Sequence, residues 1–573
     1  MIRLGSLLSL AYLLFPGAAS PAAPSWKFVL KGNSGIVGLE AIVVSPTLVV
    51  MFDRAANDPL HTPDGKPAWS VLWNLETNKA TPLKLLTDSF CASGALISNG
   101  TMVSVGGNLP AAFVNETGAY DGRMGLRLFG PCLDPNGEGE GCTIFEDLDN
   151  LKLAETRWYT STARIFGLDS LMIVGGTHEG TPFYNVDPDP VNSFEFFPKK
   201  DGGIPRPSAF LERSLPVNLF PRYVFALPDG KVFMLANNQT IIYDIEKKTE
   251  TILPDLPNGQ RVSNPFDGTA ALLPLSPPLY IPEVLACGGS TKSDTTPVEE
   301  LSAQDPATSQ CARITLSPAG IKKGWVVEHM PHGRMMPEMI LLPNGQVLII
   351  NGGATGYAAA GSIGVTFGIS NAANPIGTPL IYTPSAPLGR RFSQEGLPTT
   401  DIPRMYHSTV RLYSRVSHNI LLAGNNPNGN FTIIPPGQPG ELRVQTLDPP
   451  FFSQARPTLT NVPSKIAFNQ RFTIGIDIPA GVSLSSIKVA LIDLGFSTHA
   501  FHSSGRLVFM DHILSPNRRS LTITSPPNNR VYPPGPAYIF VTVGDTTSVG
   551  AHVMVGSGAN PPVPDQGIRL PGL

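Results

Sequence analysis

Charged side chains are scarce in this sequence, and the two signs nearly balance. Only 15% of the 573 residues are Asp, Glu, Lys or Arg, and 41 basic residues nearly balance 44 acidic ones, for a net charge of −3. A basic stripe is the usual electrostatic signature of nucleic-acid binding, and none is visible here. We therefore expect no nucleic-acid partner.

Long apolar runs are also lacking. The run Leu7–Phe15 is too short for the roughly 20 residues that span a bilayer. Arg3 precedes this run, and Pro16 and small residues follow it, which is the layout of a secretory signal peptide. We predict a signal peptide over residues 1–20, cleaved between Ala19 and Ala23, and a secreted, extracellular and soluble protein without membrane contact.

N-x-S/T sequons agree with secretion, although each is a weak signal alone. The four sequons begin at Asn99, Asn115, Asn238 and Asn430.

Cysteines are few, and their number is odd. Of the five, Cys132 and Cys142 flank one polar loop, and Cys287 and Cys311 flank another. In an oxidising compartment these are the expected disulfide pairs. Cys91 is left over, and such a cysteine is buried and inert, intermolecular or chemically used.

Long amphipathic helices are missing, whereas turn residues abound, with 56 Gly and 58 Pro. One pattern recurs instead: an apolar run, a tight turn, a second apolar run and then small residues. Each copy is typical of a β-hairpin. The copies are Gly35–Arg54, Ser93–Gly107, Thr162–Gly176, Val224–Asn238, Gly268–Gly289, Met339–Gly353 and Thr409–Asn425.

Repeated hairpins that end in glycines predict an all-β fold. They favour a kelch-type β-propeller of seven blades over residues 25–451. The uneven spacing of the copies predicts long inserted loops, where function usually resides. After Pro449-Pro450 the repeat stops, and short strands between Pro, Asn and Ser clusters predict an immunoglobulin-like β-sandwich over 452–573.

Residues with metal-binding or redox chemistry stand just before several hairpins. They are Cys91, Tyr159, Tyr406 and His407, and the C-terminal segment adds His499 and His502. A propeller would gather equivalent positions of its blades around one axis. The ordinary alternatives stay open, because a tyrosine at a strand start is often half-buried and a lone histidine is often a surface or core residue.

Four separated motifs resemble the copper radical oxidases, most closely the glyoxal oxidase family, with galactose oxidase more distant. They are DSFCASGALISNGTMVSVGGN, RWYTSTARI, PRMYHSTVRL and LGFSTHAFHSSGRLV. The segment FDRAANDPL is similar to glyoxal oxidase as well. The resemblance covers nearly the whole mature chain in the right order.

The resemblance implies a site with one copper ion and a protein-derived radical. Cys91 matches the cysteine that forms a thioether with a tyrosine, and Tyr159 matches that tyrosine. Tyr406 matches the axial tyrosine and base, and His407 and His499 match the imidazole ligands. His502 is the rival of His499, which is preferred because the family histidine follows a threonine, as in Thr498-His499.

The implied reaction joins a small aldehyde, such as glyoxal or methylglyoxal, and dioxygen. The Cys91–Tyr159 radical and copper each accept one electron, the aldehyde becomes a carboxylic acid, and dioxygen becomes hydrogen peroxide. The partners implied are these substrates and extracellular peroxidases that consume the peroxide, and we expect a monomer.

Two other functions remain open: a primary-alcohol or sugar oxidase of the same family, and a non-catalytic kelch propeller that binds glycans or proteins. In galactose oxidase a tryptophan stands two residues after the Gly-Gly that ends the hairpin following the cross-linked tyrosine. In this sequence the corresponding hairpin ends in Gly175-Gly176, and His178 stands at that position. His178 either changes the protection of the radical or is an ordinary loop residue. The segment Gly333–Met339 either lines the site or serves packing.

Overall fold

The computed structural model describes residues 25–566, except 111–116, 131–138, 140, 167–170, 180–182, 360–369, 413–418, 427–439, 483, 485 and 564. The predicted signal peptide, Cys132, and the sequon asparagines Asn115 and Asn430 lie outside the described residues.

Residues 27–448 contain short β-strands joined by turns and loops. The strands are β1 (Lys27–Asn33), β2 (Glu40–Val43), β3 (Leu48–Phe52), β4 (Ser70–Asn74), β5 (Ala80–Pro82), β6 (Ser93–Leu96), β7 (Met102–Val105), β8 (Leu126–Phe129), β9 (Ser161–Arg164), β10 (Leu171–Val174), β11 (Ser193–Phe197), β12 (Arg206–Pro207), β13 (Tyr223–Ala226), β14 (Val232–Ala236), β15 (Gln239–Asp244), β16 (Thr249–Ile252), β17 (Gly268–Leu272), β18 (Glu283–Gly288), β19 (Gln310–Thr315), β20 (Val326–His329), β21 (Glu338–Leu341), β22 (Val347–Ile350), β23 (Gly353–Gly356), β24 (Ala372–Pro375), β25 (Leu380–Tyr382), β26 (Phe392–Ser393), β27 (Ser408–Leu412), β28 (Ile420–Gly424) and β29 (Arg443–Asp448).

The α-helices among the described residues are short. They are α1 (Ala209–Arg213) and α2 (Pro318–Lys323), each with a serine cap, Ser208 or Ser317, that accepts a backbone N–H. The chain is therefore nearly all β, as the sequence predicts.

Each of the seven predicted hairpins is present as an antiparallel strand pair. The pairs are β2–β3, β6–β7, β9–β10, β13–β14, β17–β18, β21–β22 and β27–β28. Each pair lies in a separate sheet, and β1 from the N-terminal end pairs with β29 in the sheet of β27–β28. We call the first strand of each pair an inner strand.

The hairpin turns follow from turn chemistry. Between β13 and β14, the Leu227 N–H donates to the Lys231 carbonyl at 2.8 Å, and Gly230 supplies the required positive φ of 86°. All residues of both strands are buried, so these apolar runs pack between neighbouring sheets rather than against solvent.

The C-terminal part forms two further sheets and one hairpin. Its strands are β30 (Thr458–Thr460), β31 (Lys465–Ile466), β32 (Arg471–Asp477), β33 (Ile487–Asp493), β34 (Phe496–Thr498), β35 (Phe501–Ser503), β36 (Arg506–Met510), β37 (His512–Leu514), β38 (Ser520–Thr524), β39 (Gly535–Val543), β40 (Thr546–Thr547) and β41 (Ala551–Val555). One sheet has the order β30-β32-β38-β37, and the other β31-β41-β39-β33-β36 with β40 beside β39.

The hairpin β34–β35, here called the inserted hairpin, leaves the C-terminal part and enters the N-terminal part. Strand β34 pairs with β2, so the hairpin extends that sheet. Its strands also contact the other six inner strands, β6, β9, β13, β17, β21 and β27. The seven inner strands therefore surround the inserted hairpin, and the turn of this hairpin reaches the end at which the inner strands begin.

The disulfide Cys287–Cys311 joins directly opposed residues of β18 and β19, which confirms that predicted pair. Cys142 is disulfide-bonded as well, and its predicted partner Cys132 lies outside the described residues. No described helix has the length and apolar character needed to cross a bilayer.

Candidate metal centre

The turns that lead into the inner strands carry the predicted site residues. Cys91 lies two residues before β6, and Tyr159 lies two residues before β9. Tyr406 and His407 directly precede β27. Because the inner strands begin at one end around the inserted hairpin, residues separated by more than 300 positions in the sequence meet there, as the Cys91–His407 contact does.

Left-handed backbone conformations turn these side chains inward. Cys91 and Tyr159 both have φ of 58°, His407 has 63° and His499 has 46°. Non-glycine residues pay a steric cost in this region, and strain of this kind concentrates at functional sites. The left-handed conformation also resolves how Tyr406 and His407, adjacent in the chain, reach one centre.

Buried arginines fix the two tyrosine turns in the same way. The Arg157 guanidinium donates to the carbonyl of Gly175, at the end of the second strand of its own hairpin, at 2.8 Å. Arg404 donates in the same manner to Gly424 at 2.8 Å. Tyr159 and Tyr406 each follow their arginine by two residues, so the R-x-Y spacing sets equivalent positions.

Backbone amides on both sides of Cys91 are held by buried carboxylates. Asp88 Oδ1 accepts from Phe90 N at 3.1 Å, and Glu40 Oε1 accepts from Ala92 N at 2.7 Å. These bonds hold the Cys91 turn in its strained conformation. Neither carboxylate was predicted as a site residue.

The donor atoms of these residues converge in a buried cluster. The ligand atoms of Cys91, His407 and His499 all lie within 4.8 Å of one another. The phenol oxygens of Tyr159 and Tyr406 are 3.0 Å apart, and the Tyr159 ring centroid lies 5.6 Å from that of His499. The Cys91 thiol is free and buried, its Sγ lies 3.8 Å from His407 Nε2, and it belongs to the same buried cluster as the Tyr159 side chain.

His499, in the turn of the inserted hairpin, presents a nitrogen suited to a metal ion. Its Nδ1 is engaged by Thr498 Oγ1 at 2.6 Å, while its Nε2 is buried without a hydrogen-bond partner among the described residues. Fixing one ring nitrogen in this way sets the tautomer and orientation of a ligating imidazole.

Aromatic rings enclose the cluster. Trp158 stacks on Tyr159 with centroids 4.6 Å apart and 28° between the planes. Phe220 packs against His499 at 4.9 Å, and Phe90 against His407 at 5.2 Å. The environment around the phenols and imidazoles is therefore largely apolar.

Burial keeps these groups neutral in the metal-free protein. It raises the pKa of Tyr159 and of Tyr406 well above the ordinary phenol value. Cys91 adds to the rise in the pKa of Tyr159 and Tyr159 adds to that of Tyr406, whereas the hydrogen bond with Tyr406 lowers the pKa of Tyr159. Burial also lowers the pKa of His407 well below that of a free imidazole and lowers the pKa of His499 to about 3. Both imidazoles thus keep a free lone pair at neutral pH, and a bound cation would reverse the burial effect on the phenols.

His502 lies away from this cluster. Its Nε2 is 3.0 Å from Glu338 Oε2 on the inner strand β21, and Glu338 also accepts from Val410 N and Ser497 Oγ. His502 therefore links the inserted hairpin to the surrounding strands.

His178 does not stack on Tyr159, and the segment Gly333–Met339 lies beside the cluster. His178 Nδ1 lies 2.7 Å from Thr156 Oγ1, and the ring stacked on Tyr159 is Trp158. The adjacency of Trp158 and Tyr159 in RWY was the available signal for this stacking. Met335 and Met336, in the segment Gly333–Met339, pack with Tyr406 beside the cluster.

Asp267 is a further residue that sequence reasoning missed. It directly precedes β17, as His407 precedes β27, and both of its carboxylate oxygens are buried without a hydrogen-bond partner among the described residues. The equivalence of positions before inner strands is the signal that could have found it.

The assembled donors are two imidazoles, two phenols and a thiol. Imidazole nitrogen and phenolate oxygen suit copper(II), whose tetragonal preference can leave a position open for another ligand. The residues therefore fit a copper ion, and the adjacent thiol and phenol could form a covalent bond between side chains.

Both parts of the chain match known protein families. The family described as "Glyoxal oxidase N-terminus" matches residues 53–451, and "Galactose oxidase-like, Early set domain" matches residues 456–555. "Aldehyde oxidase GLOX" of Vitis pseudoreticulata is 32% identical over 562 residues, which cover 93% of this chain and 97% of that protein. "Aldehyde oxidase GLOX1" of Arabidopsis thaliana is 29% identical over 92% of this chain and 84% of its own length.

A solved structure has a similar fold. It is described as a novel fungal alcohol oxidase of the AA5 family in complex with copper. The two structures align with a TM-score of 0.66 at 16% sequence identity, over 93% of this chain and 100% of the other. The matches in sequence confirm the resemblance found in the four motifs: the chain belongs to the glyoxal oxidase family.

Proposed function

We propose that the protein is a copper radical oxidase that converts small aldehydes to carboxylic acids and reduces dioxygen to hydrogen peroxide. The observation that carries this proposal is the convergence of Cys91, Tyr159, Tyr406, His407 and His499 in one buried cluster. The relatives named aldehyde oxidase support the aldehyde as the substrate class.

The scaffold is in our proposal a seven-bladed kelch-type propeller followed by an immunoglobulin-like sandwich. Seven sheets whose inner strands surround one inserted hairpin support the propeller. The two C-terminal sheets, antiparallel except for the β31–β41 pair, support the sandwich. The inserted hairpin then lies along the propeller axis and carries a ligand from one domain into the other.

Tyr159, Tyr406, His407 and His499 would hold the copper ion. When bound, copper would supply a one-electron acceptor beside the radical and an open position for the substrate oxygen. His499 is prepared for this role by the Thr498 contact, and His407 by the turn before β27.

Cys91 and Tyr159 would form the thioether radical. A thioether on the phenol ring donates electron density and so makes one-electron oxidation of Tyr159 easier. Stacking by Trp158 and enclosure in an apolar cluster shield that radical from water. The Cys91–Tyr159 radical would take a hydrogen atom from the reacting carbon of the substrate.

Tyr406 would be the base that takes the proton of the substrate hydroxyl. Its phenol oxygen lies 3.0 Å from that of Tyr159, so the proton acceptor and the hydrogen-atom acceptor face the same small space. The hydrated aldehyde RCH(OH)₂ loses two hydrogens in this scheme, and with O₂ it yields RCOOH and H₂O₂.

The setting of the enzyme is also part of the proposal. The signal-peptide pattern and the sequons support secretion, and the disulfide Cys287–Cys311 suits an oxidising compartment. Peroxide released outside the cell would serve extracellular peroxidases, and a monomer suffices because every proposed ligand comes from one chain.

The proposal is tested by copper content, by mass spectrometry for a peptide that links Cys91 to Tyr159, and by peroxide release over aldehydes, primary alcohols and sugars. We expect one copper per chain, the linked peptide and the highest turnover with small aldehydes. Preference for alcohols or sugars would change the substrate class, and a free Cys91 thiol in copper-loaded protein would favour the non-catalytic propeller.

The two histidines of THAFH should behave differently when each is replaced by alanine. His499→Ala should sharply weaken copper binding, because a ligand nitrogen is lost from the cluster. His502→Ala should leave the copper spectrum nearly unchanged and lower the free energy of unfolding by about 1–3 kcal/mol, because Glu338 loses one of its buried partners.

Copper titration followed by absorption, together with thermal unfolding, separates these effects. His502→Ala serves as the matched control, since both histidines belong to the same hairpin. Weak copper binding in His502→Ala with normal binding in His499→Ala would move the ligand by three residues.

A further inference from the structure

Backbone hydrogen bonds join the segment that carries Asp267 to two residues beside the metal centre, Met336 and Phe220. The Met336 N–H donates to the Asp267 carbonyl at 2.7 Å, and Met336 packs with Tyr406. Three residues earlier, the Asn264 N–H donates to the Phe220 carbonyl at 2.6 Å, and Phe220 packs against Tyr159 and His499. The segment that carries Asp267 is thus fixed between the two walls of the cluster.

The carboxyl group of Asp267 makes no hydrogen bond that would stabilise the fold among the described residues. It is 1% exposed, and neither oxygen has a hydrogen-bond partner among the described residues. Burial alone raises its pKa well above the ordinary value, with no neighbouring cation or hydrogen bond that opposes the rise. A buried carboxyl without partners is unfavourable for folding, so its presence points to a ligand.

Asp267 differs in this respect from other buried carboxyls near the centre. Glu40 and Asp88 hold the backbone on either side of Cys91, and Glu338 holds His502 and Ser497. Each of them has a partner within the protein, whereas Asp267 has none among the described residues.

Asp267 lies at the end of the inner strands that carries the cluster, because it directly precedes β17 as His407 directly precedes β27. It acts electrostatically on both Tyr159 and Tyr406, raising the pKa of each. Its position before β17 and its unpaired oxygens make the carboxyl a candidate partner for a small molecule bound beside those two rings.

We propose that Asp267 is a substrate-binding residue that accepts a hydrogen bond from the second hydroxyl of a hydrated aldehyde. This inference rests on the proposed oxidase function. A hydrated aldehyde carries two hydroxyls on the reacting carbon, and Tyr406 accounts for the proton of only one. In a buried site the other hydroxyl needs a partner, because an unpaired polar group costs free energy.

The contact would also favour the aldehyde hydrate over an alcohol of the same skeleton. A primary alcohol has a hydrogen where the hydrate has its second hydroxyl, so it cannot reach Asp267 and leaves the carboxyl unpaired. Sites built to bond a substrate hydroxyl discriminate strongly against analogues that lack it. Asp267 thereby gives the site a chemical basis for preferring aldehydes.

Methylglyoxal and hydroxyacetone are the substrate pair for the test. Hydrated methylglyoxal, CH₃COCH(OH)₂, and hydroxyacetone, CH₃COCH₂OH, differ by one hydroxyl on the reacting carbon. Kinetics of peroxide release would be measured for the wild type, Asp267→Asn and Asp267→Leu. Asp244→Asn, which alters a turn between β15 and β16, is the control for loss of an aspartate elsewhere.

We expect Asp267→Leu to lower kcat/KM for methylglyoxal by about 5- to 100-fold, the range for leaving a buried hydroxyl without a hydrogen-bond partner. The value for hydroxyacetone should change by less than about threefold, because that substrate never makes the contact. Asp267→Asn keeps an acceptor oxygen and should lose less than Asp267→Leu. Copper content, the Cys91–Tyr159 cross-link and the melting temperature should stay at or above wild-type values.

Equal losses for both substrates, or a lowered melting temperature with uniform loss of activity, would overturn the role of Asp267 and leave the oxidase function standing. A wild-type protein that holds copper but releases no peroxide with any aldehyde would overturn the proposed function and this inference together. Unchanged kinetics in both variants would likewise exclude Asp267 from substrate binding.

Discussion

Cys91→Ala is expected to bind copper and to lose most of its oxidase activity. The four proposed ligands Tyr159, Tyr406, His407 and His499 remain in place, whereas the sulfur that would modify the Tyr159 ring is gone. Without the thioether the phenol is harder to oxidise, so formation of the radical becomes unfavourable. We expect kcat to fall by about two orders of magnitude or more, which corresponds to about 2.7 kcal/mol in activation free energy.

The turn at Cys91 should survive the substitution. Its left-handed conformation, with φ of 58°, is held by bonds from Phe90 N to Asp88 and from Ala92 N to Glu40, and neither involves the thiol. Copper stoichiometry, intact mass and peroxide release test the expectation. Cys91→Ser is the matched variant, since it nearly preserves side-chain size but cannot form the thioether, and it should be equally impaired. An active Cys91→Ala enzyme would remove the cross-link from the mechanism.

The local pattern of the sequence was sufficient to predict the seven hairpins. Each joins two apolar runs through a turn such as Leu227–Lys231, where Gly230 and two backbone hydrogen bonds close the loop. Such signals act over a few residues, so they can be read without knowledge of the rest of the chain. The strands of the C-terminal part, for example β33 and β39, were predictable for the same reason.

The environment of the centre depends on backbone conformations and contacts that the hairpin pattern does not show. The tryptophan that stacks on Tyr159 is Trp158, the preceding residue, whereas comparison with galactose oxidase directs attention to position 178. His178 instead contacts Thr156. Ring orientation depends here on the left-handed turn at Tyr159, which the sequence does not reveal because neither residue is a glycine.

The role of His502 illustrates the same limit. From THAFH alone, either histidine could serve a metal ion, and only the presence of Thr498 favoured His499. The partner of His502 is Glu338, which is more than 160 positions away in the chain. Asp267 escaped notice because DG usually marks a turn, and its lack of a partner becomes visible only when the surrounding sheets are assembled.

Tyr406→Phe is expected to keep copper and the cross-link and to lose turnover. The ring of Tyr406 packs 3.9 Å from that of His407 between centroids, and phenylalanine preserves that packing. What disappears is the oxygen that lies 3.0 Å from the Tyr159 oxygen and that would take the substrate proton. Loss of a general base typically lowers the rate by about 10²-fold or more, and we expect a fall in kcat on that scale.

Copper stoichiometry, the mass of the Cys91–Tyr159 peptide and peroxide production in this one variant separate the possible roles of the two tyrosines. Tyr243→Phe is the matched control, because it removes a phenol oxygen that lies 3.1 Å from Arg206 in another sheet, and its turnover should be unaffected. Near-normal turnover in Tyr406→Phe would exclude Tyr406 as the base. Loss of the cross-link with copper retained would mean that the thioether forms on Tyr406 and that Tyr159 is the base, since each phenol oxygen already lies within hydrogen-bond distance of the other.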